Sequence, residues 1–162
     1  MDADSREMLA QRGESWFQLN ICKKDGSGRP LFRPAHLGSQ WPTVDYLVEA
    51  VRPGDSNAFF FAQVKCSENA NGGAIPVTFR PDQWRRLRAI PVPTYIFGID
   101  DVTESGYILS VSGHRRPIRS VPRAFPLNVE NRERLWNEVV EYWHRRTAEM
   151  PFTSVFRDPR TR

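Results

Sequence analysis

Lysine is scarce in this chain of 162 residues, occurring only at Lys23, Lys24 and Lys65, so nearly all of the positive charge is arginine. The two cysteines, Cys22 and Cys66, form no CxxC pair and have no histidine at metal spacing. That pattern excludes a disulfide framework and a zinc site and leaves two free thiols. No apolar run approaches the ~20 residues that cross a bilayer. The acidic start Met1-Asp2-Ala3-Asp4-Ser5 also lacks the basic and apolar stretches of a signal peptide, so a cytoplasmic protein with no membrane partner is expected. Internal repeats and a dividing linker are missing as well, which leaves one domain over 1–150 and an Arg/Pro-rich tail over 151–162. The first few residues and that tail are expected to be loosely ordered.

The formal charge is +4. Arginine suits phosphate because its planar fork donates to two oxygens at once, but so small an excess permits a nucleic-acid partner without requiring one.

Hydrophobic spacing gives the elements. Ser5 to Leu19 carries Met8, Leu9, Trp16, Phe17 and Leu19 in a loose helical pattern that Ser5 is placed to cap. Lys23 to Pro42 is rich in Gly, Pro and basic residues and reads as a long connection with one strand near Leu31 to Arg33. Val44 to Val51 and the aromatic run Ala58 to Cys66 read as a hairpin across Arg52-Pro53-Gly54-Asp55. Ser67 to Gly73 reads as a loop. Pro81 to Ala89 is a short helix with Pro81 in its first turn, Trp84 and Leu87 inward, Arg85 and Arg88 outward. Thr94 to Ile99 and Tyr107 to Val111 form a second hairpin through a turn ending at Gly106, and Glu130 to Met150 is a helix with Leu135, Trp136, Val139, Val140, Tyr142 and Trp143 repeating at three- and four-residue spacing.

Phe59-Phe60-Phe61-Ala62-Gln63-Val64-Lys65-Cys66 stands out, because an apolar strand here holds a glutamine and a lysine two residues apart. Period-two alternation puts Gln63 and Lys65 on one face. A lysine among apolar residues needs a charged partner or a ligand, and Asp45 across the hairpin is placed to supply it. Phosphodiester hydrolysis asks for carboxylate and carbonyl oxygens around Mg²⁺ and a cation near the water or phosphate, which Asp45, Gln63 and Lys65 provide. Lysine suits that role because its compact ammonium loses basicity when desolvated.

Arg12-Gly13-Glu14 on a helix, Val44-Asp45 on one strand and Gln63-Val64-Lys65 on the next together resemble the PD-(D/E)xK nucleases. The Gln form resembles Mrr-like restriction nucleases, and the helix glutamate resembles archaeal Holliday-junction resolvases. The wider layout, with Trp84, Pro91-Val92-Pro93-Thr94-Tyr95 and Asp100-Asp101-Val102, resembles the bacterial domain-of-unknown-function family 4365; the likeness runs from about Arg12 to Trp143. It implies an α/β fold with a restriction-endonuclease-like αβββαβ core, a central mixed sheet flanked by helices. It also implies cleavage of DNA with Mg²⁺ or Mn²⁺, a defence or restriction context, and a homodimer or a partner protein. Glu14, Asp45 and Gln63 would then hold the metal and Lys65 would be the catalytic lysine. This chain departs from the pattern in its neutral Gln63 and in Val44 where the nominal proline stands.

Plainer readings stand beside these. Glu14 also fits a solvated helix acid, and Glu49 an exposed strand-end carboxylate rather than a fourth ligand. Asp100 and Asp101 read as turn formers rather than a rival metal pair. His36, His114 and His144 have no spacing that suggests ligation. Ser67, Arg85, Arg88, Arg115 and Arg116, with Arg119 and Arg123, are candidates to hold a DNA backbone, or equally a loop serine and solvated basic positions. Trp136 and Trp143 read as core.

Overall fold

A computed structural model describes residues 2–38, 41–51, 57–69 and 73–149. In chain order the elements are α1 (Ala3–Ile21), β1 (Phe32–His36), β2 (Tyr46–Ala50), β3 (Phe59–Ser67), β4 (Ala74–Pro76), α2 (Pro81–Arg88), β5 (Thr94–Asp100), β6 (Ser105–Ser110), β7 (Ser120–Pro122) and α3 (Val129–Glu149). The fold is α/β. Five strands form one mixed sheet in the order β1-β2-β3-β5-β6, antiparallel except for the parallel pair β3–β5, which α2 connects. The series α1, β1, β2, β3, α2, β5 follows the expected αβββαβ order.

β5 is buried at every position, as a strand covered on both faces must be. Above one face, Phe17 and Ile21 of α1 and Leu135, Trp136, Val139 and Val140 of α3 pack on Phe60, Ala62, Val64, Phe97 and Ile99. Below the other, Trp84 and Leu87 of α2 join Ile75, Phe79, Ile96 and Val121 in a second core. Pro81 begins α2, where a missing N–H costs nothing, and Trp84 and Leu87 are its buried side as expected.

Four details differ from the sequence reading. The cap of α1 is Asp2, whose carboxylate accepts the Ser5 N–H, so Ser5 lies inside the helix. Met8 and Leu19 are exposed, because α1 meets the sheet through Gly13, Phe17 and Ile21 instead. Gly106 lies within β6 rather than in the turn: a Cβ there would come within 2.3 Å of the Trp16 ring. Two short strands that the sequence reading does not include, Ala74–Pro76 and Ser120–Pro122, pair as the two-stranded ribbon β4–β7. The Arg52–Asp55 turn, Met150 and the tail lie outside the described residues.

Candidate active site

The hairpin β2–β3 stays paired from Glu49↔Phe59 to Tyr46↔Ala62 and then opens. The Asp45 N–H still donates to the Ala62 carbonyl at 2.9 Å, but the next inward amide, that of Val64, donates to the Asp45 side chain, Oδ2, at 2.6 Å. The carboxylate thus takes the place of a backbone carbonyl and sits where the strands part. The same oxygen accepts from Gln63 Nε2 at 2.5 Å, and that amide also reaches the Val64 carbonyl at 3.4 Å. Burial pushes the Asp45 carboxyl up to about 6, against the Val64 hydrogen bond and Lys65, which lower it; Glu14 adds to the rise and His36 lowers it.

Lys65 projects from the face that carries Gln63. Its Nζ lies 5.3 Å from the centre of the Phe79 ring, over the second core. Burial lowers its pKa, while Asp45 and Glu14 raise it through space. The pairing expected across the hairpin is therefore a field rather than a contact: Oδ2 of Asp45 is engaged by Gln63 and Val64.

Glu14 reaches this end of the sheet because α1 lies close against β3. A Cβ on Gly13 would fall 2.5 Å from Cys66 Cβ, so only glycine allows that approach. The Glu14 carboxylate is 3.2 Å from His36 Nε2, its carbonyl accepts from the Tyr46 hydroxyl at 3.3 Å, and His36 lies against the Tyr46 ring at 5.1 Å. His36 is the residue the sequence reading missed; the β1–β2 register, which sets it opposite Tyr46 and so next to Asp45, is the signal that finds it.

Among the described residues no three His, Cys, Asp or Glu side chains form a metal cluster. The candidate set differs in kind: two carboxylates, Glu14 and Asp45, with the Gln63 amide and the Val64 carbonyl beside Asp45. These are hard oxygen donors of the sort that suits Mg²⁺ or Mn²⁺. The amide end of Gln63 facing Asp45 is a donor, so its carbonyl joins such a set only when the side chain turns over.

The other candidates lie apart. Glu49 pairs with Arg33 at 3.1 Å on the far end of β2. Asp100 Oδ1 accepts the Val102 and Thr103 N–H groups, the turn-forming role expected of it, and Oδ2 pairs with Arg123 at 2.5 Å. Arg123 also donates to the Tyr107 hydroxyl, which commits it to the fold rather than to DNA. Asp101 pairs with Arg12 at 3.0 Å. Ser67, expected in a loop, is the buried last residue of β3, and its hydroxyl accepts the Asn69 N–H at 3.1 Å. Arg85 and Arg116 are exposed, and Arg88 donates to the Arg115 carbonyl at 2.9 Å. Arg88 and Arg115 line a cleft of about 690 Å³ beside Thr94. Phe61 stands beside Thr94 and Lys65 beside Gly98, so this cleft is about 13 Å along the sheet from the lysine. Trp136 is buried and Trp143 half-buried, donating to the Phe59 carbonyl.

No protein-family model and no curated protein matches this chain. No helix among the described residues is long and apolar enough to cross a membrane.

Proposed function

We propose that the chain is a metal-dependent DNA endonuclease of PD-(D/E)xK type, acting in the cytoplasm in a defence or restriction setting. The observation that supports it is the grouping of Glu14 from α1, Asp45 from just before β2, and Gln63 and Lys65 from β3, where β2 and β3 part. A bound Mg²⁺ or Mn²⁺ would polarise the phosphodiester and offset the charge that develops on it. Glu14 and Asp45 would hold that ion with the Val64 carbonyl, and with the Gln63 carbonyl once that side chain turns over. Lys65, made less basic by burial, positions the attacking water and the phosphate it approaches.

A second reading has its own support: Gln63 is neutral and its amide already donates to Asp45, as suits a nuclease fold that binds nucleic acid or a protein without cutting. Nicking of supercoiled plasmid separates the two. The endonuclease reading expects nicking with Mg²⁺ or Mn²⁺, none with EDTA, and a loss of at least ~100-fold in Lys65→Ala. Plasmid bound but uncut under every condition would establish the binding module instead.

A further inference from the structure

The face of β3 that carries Gln63 and Lys65 also carries Phe59 and Phe61, since all four are at odd positions. These two rings belong to a continuous series. Trp41 lies 6.0 Å from Phe61 at a shallow 30°, Phe61 meets Phe59 edge-on at 5.9 Å and 76°, and Phe59 lies 4.6 Å from Trp143, which packs with the α3 core on the other face. Trp41, at the open end, is 53% exposed, while Phe59, Phe61 and Trp143 are half-buried. Trp41 rests on Phe61 and leaves about half of its surface in water, which presents a ring face beside the candidate site.

We infer that Trp41, resting on Phe61, is a stacking platform for unpaired DNA bases, so that the strand acted on at Lys65 is single-stranded or splayed rather than duplex. Every base offers a π face to an aromatic ring, whereas duplex bases are stacked on each other and out of reach. Continuity with the candidate site sets the direction. From Phe61 to Lys65 is about 13 Å along one strand, the reach of a few nucleotides of unpaired chain. A strand whose base lies on Trp41 therefore brings a phosphate toward Lys65. The direction of the strand rests on the proposed nuclease reading, but the platform itself is read by binding alone.

The test measures fluorescence anisotropy of a labelled oligothymidylate and of a labelled duplex of equal length with the full chain in EDTA, where no cutting occurs. The wild type is expected to prefer the oligothymidylate. Trp41→Ala is expected to weaken that binding about 5- to 100-fold and to leave duplex binding and the far-UV circular dichroism unchanged, while Trp41→Phe retains most of the affinity. Equal affinity of the wild type for both DNAs, an unchanged oligothymidylate affinity in Trp41→Ala, or no DNA binding at all would each overturn the platform. Because cleavage is not read, a chain that fails to nick plasmid yet shows this pattern keeps the platform and loses only the nuclease.

Discussion

Asp45 carries a conflict between stability and chemistry. Its carboxyl is raised from the usual 3.8 to about 6, so the folded state holds the proton longer than the unfolded chain does. Ionisation therefore subtracts stability progressively as the pH climbs from about 4 to about 6, and the whole cost persists above that. A shift of this size corresponds to roughly 2–3 kcal/mol. Asp45→Asn keeps a carbonyl for the Val64 N–H and removes the charge, so at pH 7.5 it is expected to be more stable than the wild type by about 1–3 kcal/mol, with little difference at pH 4, while nicking is lost. Urea unfolding at the two pH values is the check, and a gain no larger at pH 7.5 than at pH 4 would refute the buried-charge account. At this scale much of the site was legible in the sequence. Alternation alone put Gln63 and Lys65 on one face, and apolar neighbours marked the lysine as needing company. That Asp45 Oδ2 would go to an amide and a backbone N–H was not legible, because it depends on where two strands diverge. Nor was Trp41, since only the fold brings that loop residue onto Phe61.

Helix α1 shows what an element adds. Counting apolar residues points to Met8 and Leu19 as its inner side, yet both are exposed. Its contact is made by Phe17, Ile21 and Gly13; the last is a residue no hydrophobicity pattern selects, and it sets the depth at which Glu14 enters the site. Gly13→Ala puts a methyl group where Cys66 Cβ already is, forcing the helix outward. The expected result is a loss of about 1–3 kcal/mol in stability, together with weaker Mn²⁺ binding by titration calorimetry as Glu14 withdraws. A variant as stable as the wild type that binds Mn²⁺ unchanged would show that α1 has room to spare. The helices α2 and α3 were legible nearly to the residue, having a Pro start and a regular apolar stripe respectively. The ribbon β4–β7 was not: strands of three residues ending in Pro76 and Pro122 are too short to show alternation.

Across the whole molecule, the basic cleft of Arg88 and Arg115 and the Lys65 region lie toward opposite ends of the same sheet. If DNA lies along the molecule, the cleft contributes backbone contacts remote from the chemistry. Arg88→Ala with Arg115→Ala is then expected to lower DNA affinity similarly for every sequence and to reduce the slope of log affinity against log salt by about one per lost contact. An unchanged slope in the double variant would place the DNA elsewhere. The overall layout was legible because each piece that forms it has a strong local pattern; the order of strands in the sheet was not, since it depends on the crossover between β3 and β5. That crossover also has a kinetic meaning. The β1–β2–β3 meander and the β5–β6 hairpin each join strands close in sequence, whereas the β3–β5 seam must close across residues 68–93 before any of its contacts form. Loop-closure entropy thus opposes the centre of the sheet and not its flanks. Asp45, Gln63 and Lys65 lie within or beside the meander, so the strand-borne half of the site can take shape before the seam that later encloses it.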